Sequence, residues 1–112
     1  MQVTIDPTIG KSGPWAEGVQ RASNILEMVV SRSSLPPRAD WTLIPDSHGQ
    51  PRFRLRLSDP DVSVEKTFAP SELEDADRLW SELSWLWDDL LRARSDRHMK
   101  KLQAVLWGPE EG

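Results

Sequence analysis

"DWTLIPDSHGQPRFRLRLSDPDVSVEKTF", residues 40–68, decides the fold. Its centre, "RFRLRLS" (52–58), alternates without a break, with Arg52, Arg54 and Arg56 on one side and Phe53, Leu55 and Leu57 on the other. A period of two marks a strand with one buried and one wet face. Upstream, Trp41, Leu43 and Ile44 in "DWTLI" predict a strand that stops at Pro45. "PDSHGQP" (45–51) reads as a turn, with His48 and Gly49 near its tip. Downstream, "DPD" (59–61) turns the chain into "VSVEKTF", where Val62 and Val64 share one face and Ser63, Glu65 and Thr67 the other. Three strands joined by short turns predict an antiparallel meander.

Helical periodicity flanks this meander. Trp15, Val19, Ala22, Leu26 and Val29 recur at spacings of three and four, the apolar stripe of a helix over about 14–32. Pro14 suits its first position, and Pro36 and Pro37 lie beyond its end. On the other side, Ser71 and Glu74 have capping-box spacing and predict a helix from there to about Arg92 or Arg94. Residues 1–6 alternate weakly and predict a short strand, and "PTIGKSGP" reads as a loop. Gly10-Lys11-Ser12 is the tail of a phosphate loop without its leading glycine, since Ile5 stands there. The expected fold is α+β: a three- or four-stranded antiparallel sheet with two or three helices packed on one face. The expected order is (β)-α-β-β-β-α-(α). Residues 1–112 make one domain, with 1–13 a possible strand and loop and 108–112 a frayed tail.

Three of the six tryptophans fall in "WSELSWLW" (80–87). With a helical advance of about 100° per residue, Leu79, Trp80, Leu83, Trp87, Leu90 and Leu91 lie within about 60° of Ala76. Trp80 and Trp87 are therefore expected in the core. Trp85 falls on the opposite side among Arg78, Ser81, Glu82, Asp88, Asp89 and Arg92. Either the chain itself covers it, through the helix after residue 95 or the N-terminal strand, or a second chain does. Continuing the same wheel places Arg94, Arg97, His98 and Lys101 on the apolar stripe, so a break near Ser95 is expected. A third helix over 96–107 would then rest on Met99, Leu102, Val105 and Leu106.

Composition narrows the functional classes. The chain has 18 acids, 14 bases and no cysteine, which excludes disulfides and thiolate metal sites and argues against a general polyanion binder. No signal-like start or membrane-length apolar run is present, so a cytoplasmic protein without membrane contact is expected. From Asp59 to Asp89 there are ten acids and two bases, and from Arg92 to Lys101 five bases and one acid. The helix dipole favours that order, with Glu74–Arg78 and Asp88–Arg92 as i,i+4 pairs. The three strand arginines need neighbouring acids, and Glu65, Asp40 and Asp59 are the candidates. Asp46-Ser47-His48 holds the residue types of nucleophilic catalysis, but three successive turn residues rarely reach a triad's geometry. The expectation is a non-enzymatic protein without cofactor, metal or small-molecule ligand.

The order helix, three antiparallel strands, helix resembles the double-stranded RNA-binding domain. "PDSHGQPRF" (45–53) is similar to that family's loop between its first two strands, which implies His48 as a groove-contacting residue. The family's last helix begins rich in lysine to grip phosphates, whereas "SELEDAD" (71–77) here is acidic. The resemblance therefore implies the fold rather than RNA contact. The functional expectation is a small adaptor acting through protein–protein contact or self-association, with Trp85, Asp88, Asp89 and Arg92 as the contact residues. The alternative is nucleic-acid binding through Arg52, Arg54 and Arg56 on the sheet with Arg97, Lys100 and Lys101 on the last helix.

Overall fold

A computed structural model describes residues 1–10, 14–31, 33, 35–59 and 61–107. The meander forms as its alternation demands: β2 (Arg38–Pro45), β3 (Pro51–Ser58) and β4 (Ser63–Phe68) pair antiparallel in sequence order. Phe53, Leu55 and Leu57 are buried on one face with Ala39, Trp41 and Phe68, and the β3 arginines stand on the other. At the tight turn between β2 and β3, Asp46 accepts the N–H groups of His48 (2.8 Å) and Gln50 (2.9 Å), and Gly49 takes a φ of 75°. An L side chain rarely adopts that angle.

The sheet is four-stranded and mixed, which corrects the expected antiparallel one. β1 (Gln2–Ile5) pairs parallel with β2 along its whole length, with Gln2 beside Arg38 and Ile5 beside Trp41. The cause is the connection. A helix between two neighbouring strands carries the chain back, so the second strand sets off in the direction of the first. That helix is α2, Pro14–Val30, preceded by a single turn, α1, Pro7–Gly10. Residues 7–10, expected as loop, are helical because Asp6 caps them: its carboxylate accepts the Thr8 N–H (3.0 Å) and hydroxyl (2.9 Å). Ile9 then inserts fully into the core. Lys11 and Ser12, and the tail 108–112, lie outside the described residues.

α2 packs on the sheet through Val19, Ala22, Ile25 and Leu26. Trp15 meets Phe53 edge-on at 5.8 Å, and the Trp41 indole N–H donates to the Ser23 hydroxyl at 3.0 Å. The last helix does not start at Ser71. Pro70–Glu74 is instead a 3₁₀ turn in which Glu72, not Glu74, accepts the Ala69 N–H (2.7 Å). Asp75 caps the helix proper, accepting the Arg78 N–H at 3.1 Å. Leu73 is thereby buried beside α2.

α3 runs unbroken from Ala76 to Trp107, so neither the break near Ser95 nor a separate helix over 96–107 exists. The expected break presumed a core under the whole wheel. The strands are about 26 Å long, whereas 32 helical residues span about 48 Å. Beyond Leu90 the stripe runs off the end of the sheet, and the basic residues on it meet solvent and loop rather than core. Arg94 is the transitional residue. Its guanidinium pairs with Asp59 of the β3–β4 turn, donates to the Leu35 carbonyl (2.9 Å) and lies 5.3 Å above the Trp87 ring. From Ser95 to Gln103 every residue is exposed, Met99 and Leu102 included. The side chains of Val105 and Leu106 lie outside the described set.

Candidate functional site: the open face of α3

The core side of α3 is narrower than its sequence suggests. Leu79, Leu83, Leu86, Trp87 and Leu90 are buried, but Trp80 is 42 % and Leu91 41 % exposed. Both lie at the edge of the stripe. This corrects the expectation that Trp80 is a core residue. Trp85 is 62 % exposed, Met99 52 % and Leu102 40 %. Because α3 continues straight past Ser95, its C-terminal half does not fold back over Trp85, and the intramolecular cover weighed for that ring is not formed.

The polar residues around Trp85 divide into committed and uncommitted groups. Glu82, expected to face water, is held by Lys66 of β4 at 2.9 Å and by Arg78 at 3.6 Å. Arg78 also reaches Glu72 at 2.9 Å rather than Glu74, so this network joins the 3₁₀ turn, α3 and β4. Asp88 has no ion pair among the described residues, and Arg92 touches Asp89 (3.7 Å) rather than Asp88, with both side chains more than half exposed. A pair so exposed holds little energy and is available to another partner. Trp85, Asp88, Asp89 and Arg92 therefore lie together on solvent-facing α3. Sequence reasoning missed Trp80, Leu91, Met99 and Leu102: Met99 lies about 40° from Trp85 around the helix, whereas Trp80, Leu91 and Leu102 form a second exposed line about 100–140° from it. A signal was present: Trp80, Leu91 and Leu102 are eleven residues apart, a spacing that drifts only about 20° in three turns.

The nucleic-acid candidates fall into two places. Arg52, Arg54 and Arg56 project from the wet face of β3, while Arg97, Lys100 and Lys101 belong to the helix on the opposite layer. The strand arginines are each answered locally: Arg52 by Asp46 (3.2 Å), Arg54 by Glu65 (3.9 Å) and Arg56 by the Ser63 hydroxyl (3.3 Å). Asp40 and Asp59, two acids expected to serve them, pair with Arg38 (3.2 Å) and Arg94 instead. Lys101 approaches Asp61 at 3.5 Å, over a cavity of about 270 Å³ that Arg97 and His98 also line.

Asp59 has the best-defined electrostatics here. Burial pushes its carboxyl up, but the Arg94 guanidinium and the N–H groups of Val62 and Asp61 (each 3.0 Å) outweigh it and hold it below the ordinary carboxylate value. The Asp46 carboxyl is lowered by the Gln50 and His48 N–H groups, a bonding pattern internal to the turn. No helix among the described residues is long and apolar enough to cross a membrane. No protein-family model, curated protein or solved structure matches this chain.

Proposed function

We propose that the chain is a small non-enzymatic binding module that acts through protein–protein contact on the open face of α3. The observation that carries this reading is the exposure of five large apolar side chains, Trp80, Trp85, Leu91, Met99 and Leu102, on one helix. Exposed apolar surface of this kind, rimmed by charge, favours a protein partner. Two tryptophans and Arg92 are residue types that concentrate binding energy at interfaces. Trp85→Ala and Trp85→Ala/Arg92→Ala variants test it, read by light scattering and by capture of partners from cell extract. The expected result is wild-type melting behaviour with lost association. Variants that match wild type in both association state and captured proteins would remove this face from the function.

The alternative is nucleic-acid contact by the wet face of the sheet. It is favoured by a cavity of about 420 Å³ that Arg38, Arg54 and Arg56 line with Thr42. Asp40 and Glu65 line the same cavity and oppose a phosphate backbone. Duplex RNA or DNA binding that weakens steeply with salt and is lost in Arg54→Glu/Arg56→Glu would establish it; no binding at low ionic strength would dismiss it.

A further inference from the structure

The open face of α3 carries a symmetry of its own. Trp80 and Leu102 lie eleven residues on either side of Leu91, and Ser84 and His98 lie seven on either side. Asp88 precedes Leu91 by three residues and Arg92 follows it by one. The helix is also polarised: Ala76–Asp89 holds four acids and one base, and Leu90–Trp107 five bases and one acid. A surface that reads the same from its centre outward, with opposite charge in its two halves, is complementary to an inverted copy of itself.

We infer that α3 pairs antiparallel with α3 of a second copy of this chain, about a two-fold axis near Leu91. This rests on the protein-contact reading above and names its partner. In that arrangement Leu91 meets Leu91, and Trp80 of each copy lies level with Leu102 of the other. Asp88 of each copy faces Arg92 of the other, within about 3 Å of level, given a rise of about 1.5 Å per residue. Two such pairs form across the axis, as an isologous interface requires. A parallel pairing would instead lay the two acidic halves side by side and the two basic halves likewise. The acidic half of each helix lies along the basic half of its partner. The C-terminal half of α3, which has no sheet of its own beneath it, then packs on the N-terminal half of the second copy. The contact spans residues 80–102, about 33 Å of helix.

The test uses sedimentation, charge reversal and engineered cysteines, since the chain has none of its own. The full chain is expected to dimerise at concentrations up to about 100 μM, and Leu91→Arg to weaken the dimer by at least about 30-fold. Asp88→Arg alone and Arg92→Asp alone are each expected to be monomeric, and their equimolar mixture to form a heterodimer. Ser84→Cys should oxidise to a crosslinked dimer only when mixed with His98→Cys. Self-crosslinking of Ser84→Cys would show a parallel pair and overturn the inference, as would charge-reversal variants that fail to rescue one another. A chain that stays monomeric throughout also overturns it. If Trp85→Ala nevertheless loses partners that wild type captures, the protein-contact reading survives with a different partner; if it loses none, both fall.

Discussion

Trp41 buries its indole almost completely and still satisfies its one N–H, through the Ser23 hydroxyl of α2. Ser23 is the one buried polar side chain among the described core residues, and this bond is its reason for being there. Ser23→Ala leaves a buried donor without a partner and is expected to cost about 1–3 kcal/mol in denaturant unfolding. Trp85→Ala, on the open face, is expected to change stability by less than about 0.5 kcal/mol. The contrast is between a ring whose surroundings are fixed by its own chain and one whose surroundings are not. Asp59 is the titrating residue to watch. Its folded carboxyl is held below its ordinary value, so the stabilisation it brings is present above the unfolded value of about 3.9 and is lost as pH falls through the folded one. Thermal melts should therefore separate wild type from Asp59→Asn at pH 7, with a gap that begins to narrow only below about pH 4. A gap that persists unchanged at pH 3 would show that the Arg94 pairing is not what the variant removes.

Among the elements, α2 and the 3₁₀ turn approach most closely at Gly18. A Cβ placed there would lie 2.9 Å from the Leu73 Cβ, an atom fixed to the backbone that cannot swing aside. Arg21 reinforces the approach by donating to the Leu73 carbonyl at 2.8 Å. Helix propensity alone would make Gly18→Ala favourable by about 1 kcal/mol. We expect the opposite sign, a net loss in stability measured by denaturant unfolding, because the turn must move away and Leu73 with it. A stabilised variant would mean that this junction yields easily. α3 is the element with two halves. Its first half is anchored by Leu79, Leu83, Leu86 and Leu90 in the core. Its second half makes only the Arg94–Asp59 and exposed Lys101–Asp61 contacts with the body among the described ion pairs. Amide exchange in dilute protein is expected to be fast after Ser95 and slow before Leu90, and to slow after Ser95 as concentration rises if the copies pair. Uniform protection along α3 in the monomer would contradict this division.

The whole molecule is elongated by that overhang. Its principal extents are 56 × 33 × 22 Å and its Cα radius of gyration is 16.7 Å, against about 13 Å for a compact chain of this length. Small-angle scattering of the monomer is expected to give a radius near 17 Å. A value near 13 Å would mean that α3 bends back, and Trp85 would then have a cover within its own chain. The charge order along the chain, acidic before Asp89 and basic after Arg92, becomes at this scale a polarity along the longest axis.

Periodicity by itself determined the meander, its apolar face, the helix over 14–32 and the position of Trp85 opposite the core, because each depends only on which residues lie two, three or four apart. It also indicated the α+β class. What lay beyond it were relations between elements. The parallel pairing of β1 follows from a helix crossing the sheet, which no local pattern encodes. The 3₁₀ turn before α3 sets Leu73 beside Gly18, 55 residues distant, and bonds the Ala69 N–H through Glu72 rather than Glu74, a relation between elements. Whether α3 breaks at Ser95, and whether Trp80 is inside, turned on how far the sheet extends beneath the helix. A helical wheel gives direction but not depth, and only the packed structure supplies the length of surface on which a stripe can be buried.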